Sequence, residues 1–185
     1  MRRLLIVLLL TPLFTIAQQC SEVVEIPNKT ADQLYSAAKE WFAIAFNSAN
    51  DVIQLADPVG KKIIGKGIKK VDFRVKGASS YFNVNFTLIV QFKDGRYKYD
   101  IQSSEINSIA GETFTFELLK ELGTEDGLKE YYKKKAVPAW MVSKKQFLAN
   151  VESNKYVVAE IERQLHATID DLTIALKKED ATNNW

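Results

Sequence analysis

One cysteine and one histidine stand in a chain of 185 residues. A lone cysteine closes no internal disulfide, so any fold must rest on its core. A lone histidine offers no second imidazole for a typical zinc site. It also leaves a serine nucleophile with a single candidate base, and no Gly-x-Ser-x-Gly elbow accompanies it. A phosphate-cradling glycine loop is missing too, because Gly65-Lys66-Gly67 is too short and falls in a strand pattern. Carboxylates are plentiful, yet no pair stands out as an acid–base dyad. Excess charge of one sign is absent: 25 basic residues oppose 23 acidic ones. Without a basic footprint, a nucleic-acid partner is not expected. Internal repeats and low-complexity tracts are absent as well. These absences point to a non-catalytic protein with no cofactor.

Long hydrophobic runs are confined to the N-terminus. Met1-Arg2-Arg3 is basic, and residues 4–17 are apolar apart from Thr11-Pro12 and Thr15. The run is too short for a membrane span of ~20 residues. Thr15-Ile16-Ala17 places small residues at both positions read by signal peptidase, so residues 1–17 read as a signal peptide cleaved after Ala17. We expect export through the Sec pathway to the periplasm or cell surface, with no transmembrane helix in the mature chain. Lipid attachment at Cys20 is disfavoured, because that processing wants a small residue where Gln19 stands. Cys20 is then a spare or intermolecular thiol.

What is present reads as alternating strands and amphipathic helices. Residues 21–27 suit a short strand. Thr30 and Gln33 form a capping box, and Leu34, Ala38, Trp41, Phe42 and Ala45 follow at helical spacing. The helix should end near Asn47. Residues 51–56 read as a second strand with Ile53 and Leu55 on one face, and Asp57-Pro58-Val59-Gly60 as a turn. Residues 61–75 read as a long strand whose apolar phase switches between Ile64/Ile68 and Val71/Phe73/Val75. A β-bulge at Gly65-Lys66-Gly67, or a break near Lys69-Lys70, would account for the switch.

The most regular stretch begins at Phe82. Every even position from Phe82 to Phe92 is apolar. Asp94-Gly95 signals a two-residue type I′ turn, in which both residues take positive φ. Such a turn sets Lys93 opposite Arg96, Phe92 opposite Tyr97, Val90 opposite Tyr99 and Leu88 opposite Ile101. Apolar meets apolar in the last three pairs, as in an antiparallel sheet of four or five strands with one buried and one wet face. Further on, residues 113–116 suit a short strand or residues 116–122 a short helix, and residues 124–135 a helix stopped by Pro138. Ser143 and Gln146 make a second capping box and open the longest element, residues 144–177. Val151, Val158, Leu165 and Leu172 recur every seven residues, beside the row Phe147, Asn154, Ile161, Thr168 and Ala175. A helix of roughly 50 Å outruns a ten-residue strand of ~33 Å. Either it breaks near Glu152-Ser153-Asn154-Lys155 or it overhangs the sheet, exposing an apolar stripe that invites a partner helix.

The order strand, helix, four antiparallel strands, helix carries Leu34-Tyr35, then Trp41, then Val52-Ile53-Gln54-Leu55-Ala56-Asp57 and Ile64-Gly65-Lys66-Gly67. Together these resemble a family of exported Bacteroidota proteins, the domain of unknown function DUF4468, with a TATA-binding-protein-like (TBP-like) fold. The resemblance covers about residues 21–106. It implies a two-layer β-α-β(4)-α domain of the α+β class, its antiparallel sheet bearing helices on one face. It implies no activity and no catalytic residues. Nor does shape alone transfer DNA binding to an exported, neutral chain. The expected organisation is a signal peptide (1–17), a TBP-like α+β domain (18–106) and a helical C-terminal extension (107–185) packed on or beside it, dominated by the long C-terminal helix.

Two side-chain groups are candidate sites. Lys62, Lys66 and Lys70 share strand parity, and Gln91, Lys93 and Asn85 share the wet face of the ribbon with Arg96 and Lys98 opposite. Such a basic, amide-rich surface suits an anionic cell-surface polymer, a lipid headgroup or an acidic segment of an envelope protein. The competing reading is that lysines on open sheets and edges block aggregation. Glu162, His166 and Asp170 share one helix face and form a weak metal candidate; the competing reading is a solvated face. The leading expectation is a non-catalytic envelope module that binds a partner. A homodimer built through the C-terminal helix and an enzyme of undetected type are the alternatives.

Overall fold

The computed structural model describes residues 20–46, 52–75 and 78–178. The expected signal peptide and the turn-like stretch after Asn47 lie outside the described residues. Strand β1 (Cys20–Glu25) leads into helix α1 (Ala31–Ala45). Strands β2 (Ile53–Asp57), β3 (Lys62–Val75), β4 (Ala78–Lys93) and β5 (Arg96–Ser108) follow, then the two-residue β6 (Thr113–Phe114). Three helices close the fold: α2 (Phe116–Leu122), α3 (Glu125–Lys134) and α4 (Lys144–Lys177). The sheet is ordered β1-β5-β4-β3-β2, with β6 pairing β5. Every pair is antiparallel.

The capping box opens α1 as its sequence requires. The Thr30 side chain accepts from Gln33 N–H, and Gln33 returns a bond to the Thr30 backbone. Asp94, at the β4–β5 turn, adds a carboxylate that accepts from Ala31 N–H at 2.8 Å. A negative group there also suits the positive end of the helix. Leu34, Ala38, Trp41 and Phe42 are buried, whereas Ala45 at the helix end is exposed.

The long strand β3 is continuous, and the expected bulge is not there. Its register against β4 runs without a shift from Lys62↔Gln91 to Val75↔Ala78. The alternation is unbroken because Gly65 and Gly67 occupy positions on the buried side, in line with Ile63 and Val71. They are glycines because aromatic rings lie on them. A Cβ at Gly65 would sit 2.4 Å from a ring carbon of Phe42, and one at Gly67 2.8 Å from Phe86 and 2.9 Å from Phe46. Ile64 and Ile68 therefore share the open face with the lysines, and Ile68 is 67% exposed.

Bulges fall elsewhere. Between Ile53 and Leu55, β2 advances two residues while β3 advances one. This turns Leu55 to the open face, so Ile53 and Leu55 do not share a side. In β5 the shift lies between Ser103 and Glu105, opposite Phe86 and Asn85. It carries the buried phase from Tyr97, Tyr99 and Ile101 to Ile106. At the β4–β5 turn the expected pairs Lys93↔Arg96, Phe92↔Tyr97, Val90↔Tyr99 and Leu88↔Ile101 all form. The turn type differs: Gly95 has φ 74°, but Asp94 is not among the residues of positive φ. Its backbone is held instead by the α1 contact above and by Gly95 N–H donating to Lys29 O at 2.8 Å.

Both suggestions for residues 113–122 hold, with β6 followed at once by α2. Helix α4 is unbroken over 34 residues, roughly 51 Å at 1.5 Å per residue. Its C-terminal half lies against the sheet and α1. Trp41 Nε1–H donates to Asp171 at 2.8 Å, and the Tyr97 and Thr173 hydroxyls meet at 2.7 Å. Its N-terminal half does overhang, but the stripe is covered by the chain itself. Val151 and Val157 are buried with Phe116, Leu119, Leu122 and Leu128 of α2 and α3. Asn154 donates to Leu122 O at 2.9 Å and Asn150 to the Tyr132 hydroxyl at 2.8 Å. The buried row also follows 3.6 residues per turn and not seven per two turns, so Val157 is buried and Val158 half-buried.

Gly65→Ala is expected to destabilise the fold by about 1–3 kcal/mol through overpacking. Phe42→Leu in the same chain should recover part of that loss, and a double-mutant cycle in urea unfolding measures the coupling.

Candidate functional site

Helices α1 and α4 cover one face of the sheet, and among the described residues nothing covers the other. The register decides which side chains meet there. Lys62 pairs with Gln91, Gln91 with Lys98, and Lys93 with Arg96; Val23 of β1 stands opposite Lys98. Gln91, Lys93, Arg96 and Lys98 are all exposed. With Val23, Gly60, Phe92 and Tyr97 they line a depression of about 410 Å³. Phe92 and Tyr97 are buried on the helix side and meet it from beneath.

The electrostatics are one-sided. No carboxylate lines the depression. Among the described residues, Lys93, Arg96 and Lys98 form no ion pair. Arg96 stands opposite Glu25 in register, yet no ion pair joins them. Asp57, opposite Lys62, spends its carboxylate on the Val59 and Gly60 N–H groups at 3.0 and 2.9 Å. Three cations left facing water at one rim favour an anion there.

The seven predicted residues thus divide. Gln91, Lys93, Arg96 and Lys98 surround one depression, with Lys62 beside them on β3. Lys66 and Lys70 share the open face but lie further along β3, outside it. Lys70 is engaged by Asp72 at 3.1 Å and by the Tyr81 ring at 4.4 Å from its centroid. Asn85 is half-buried on the same face, opposite Glu105. The metal candidate is not assembled. Glu162 pairs with Lys120 at 3.3 Å, and no group of three ligands is poised for a metal among the described residues.

Sequence reasoning missed the apolar part of this face. Ile64 stands opposite Ile89 on one side and Leu55 on the other, so an aliphatic row crosses three strands. The signal was there: Ile89 breaks the polar phase of its strand, and Ile64 and Ile68 share the parity of the lysines. Val23 and Gly60 reach the depression through strand order and a turn, which no local pattern reports.

Residues 21–107 match the family model described as "Domain of unknown function (DUF4468) with TBP-like fold". These residues are a DUF4468 domain. The fold is accordingly TBP-like and of the α+β class, followed by a long C-terminal helix. Among solved structures, a DUF4468 family protein from Bacteroides ovatus ATCC 8483 is similar at TM-score 0.56 and 17% identity, covering 88% of each chain. A TBP-like protein from Parabacteroides distasonis ATCC 8503 aligns at TM-score 0.48 and 11% identity, over 84% of this chain and 92% of that one. At such identities the likeness to the Bacteroides structure is one of fold. A search of curated proteins finds no match. The family description names a shape and no activity, so the DUF4468 domain must be read from its own surface.

Beneath the depression, burial pushes the Tyr97 phenol above its usual value; the Thr173 hydrogen bond opposes this, and Glu22 and Asp170 add to it. The unfolded phenol ionises near 10. Stability from keeping Tyr97 neutral is therefore fully present below about pH 10 and lost as pH rises through the folded value. Tyr97→Phe should flatten the alkaline fall of the melting temperature above about pH 10. An unchanged alkaline slope counts against a buried phenol.

Proposed function

We propose that this protein is an exported, non-catalytic binding module of the cell envelope that holds an anionic surface polymer on the open face of its sheet. The observation that supports this reading is the cluster of Lys93, Arg96 and Lys98, unpaired among the described residues, around one uncovered depression with no carboxylate in its lining. Gln91 supplies an amide for hydroxyl groups, and the Ile64–Ile89 row offers an apolar bed for sugar carbons. A carboxylate- or sulfate-bearing polysaccharide presents this combination of charge, hydroxyl and CH surface. Location in the envelope rests on the basic and apolar N-terminal residues and is part of the proposal. Acid–base chemistry finds little support here, because the only histidine is exposed on α4 and the depression holds cations, an amide and apolar carbon.

The test is calorimetric titration of the chain with a polyuronate and with neutral dextran. Binding to the polyuronate, weakening with salt, is expected. The variant Lys93→Glu/Arg96→Glu/Lys98→Glu should lose at least about tenfold in affinity, whereas Lys70→Glu, outside the depression, should change little. Equal binding to dextran, or indifference to the triple reversal, counts against the reading.

Self-assembly through the long helix loses its physical motive, because α2 and α3 occupy the stripe a second helix would need. Light scattering over a concentration series is expected to give the mass of one chain throughout. A doubled mass at high concentration would restore the assembly reading.

A further inference from the structure

The most exposed tryptophan among the described residues stands between α3 and α4. Helix α3 ends in a left-handed residue, Ala136 (φ 52°), with Ala136 N–H donating to Lys133 O and Val137 N–H to Tyr132 O. This is the geometry of a Schellman stop, and it ends the helix. Pro138 then starts a single 3-10 turn (Ala139–Met141) in which no residue is buried. Trp140 is 81% exposed and Met141 61%. Neither side chain of this tip belongs to the hydrophobic core of the described residues.

The charge around the tip is of one sign. Residues 133–145 hold five lysines and no acid. Lys133 is paired with Glu130 at 3.8 Å, and the other two nearby acids, Glu125 and Asp126, face Lys129. Lys134, Lys135, Lys144 and Lys145 are left exposed and without an ion pair among the described residues. Behind the tip lies a groove of about 530 Å³ with the same division. Its floor is Tyr132, Val137, Pro138 and Phe147, and lysines stand among its lining residues. The floor is firm: the Tyr132 and Phe147 rings meet edge-on at 6.1 Å, and Asn150 holds the Tyr132 hydroxyl.

We propose that this tip docks the protein reversibly on a bilayer surface bearing anionic headgroups. Trp140 and Met141 enter the headgroup boundary, where an amphipathic indole is favoured. The four unpaired lysines face the lipid phosphates, each contributing roughly a fivefold gain in affinity. Charge and exposure together select this occupant: a surface of lipid phosphates meets the lysines, while the open turn leaves Trp140 and Met141 free to enter the apolar boundary. No described helix is long and apolar enough to cross a membrane, so the contact lies at the surface. The tip sits at the N-terminal end of α4 and the cationic depression near its C-terminal end, where Tyr97 meets Thr173. The two surfaces can therefore be tested independently.

The test is co-sedimentation of the chain from Gln18 onward, which contains every described element, with vesicles of phosphatidylcholine alone or mixed with phosphatidylglycerol. Binding to the mixed vesicles only, reversed by high salt, is expected. In a Trp185→Phe background the emission of Trp140 should shift to the blue on binding. Trp140→Ala/Met141→Ala should cost at least about tenfold in vesicle affinity and leave the melting temperature unchanged, since neither side chain is buried. Lys144→Glu/Lys145→Glu should do the same, and the sheet reversal Lys93→Glu/Arg96→Glu/Lys98→Glu should leave vesicle binding intact. Absence of binding, equal binding to neutral vesicles, or loss of binding in the sheet variant but not in the tip variants overturns the proposal.

Discussion

Aromatic rings pressed against two glycines fix the placement of nearly everything else. Phe42 of α1 and Phe46, which caps it, stack at 5.9 Å, and Trp41 meets each edge-on. The rings reach the β3 backbone because no Cβ stands at Gly65 or Gly67. With α1 seated there, the Trp41 indole is aimed at Asp171, and α4 is held across the same face of the sheet. Both large helices are thus committed to one side. Among the described residues the other side stays open, because the covering elements are spent.

That asymmetry separates the two proposed contacts. The polar bonds from Trp41 and Tyr97 lock the C-terminal half of α4 to the sheet, while the N-terminal half carries α2, α3 and the Trp140 tip beyond it. One rigid rod therefore joins a cationic sheet surface to an amphipathic tip at the far end. A module built this way can hold a charged polymer at one end while resting on lipid at the other. Neither contact needs the fold to change shape.

Periodicity made much of this legible. The alternation of Phe82 to Phe92 and the Asp94-Gly95 turn gave the register of the central ribbon, and Thr30 with Gln33 gave the start of α1. The failures have one physical cause, in that the decisive partners are distant in sequence. The apolar phase of β3 seemed to switch because glycine scores as a break, although here it is a space filled by Phe42, Phe46 and Phe86 from other elements. Asp94 escaped a positive φ because Ala31, 63 residues away, takes its carboxylate. At the candidate site the lysine parity was readable. Which lysines would gather around a depression depended on β1 joining the far side of β5, and strand order is written in no single segment.

The shortness of β2 has its own effect on solubility. It pairs β3 only from Lys62 to Gly65, so beyond that point no described strand meets the outer backbone of β3. A strand edge that no described strand covers is a template on which another molecule's strand can stack, the first step toward a fibril. Lys66, Lys69, Lys70 and Arg74 stand along this border, and a docking strand would have to strip water from each. Lys66 and Lys70 lie outside the anion site, and their position suits them to keeping neighbouring molecules apart.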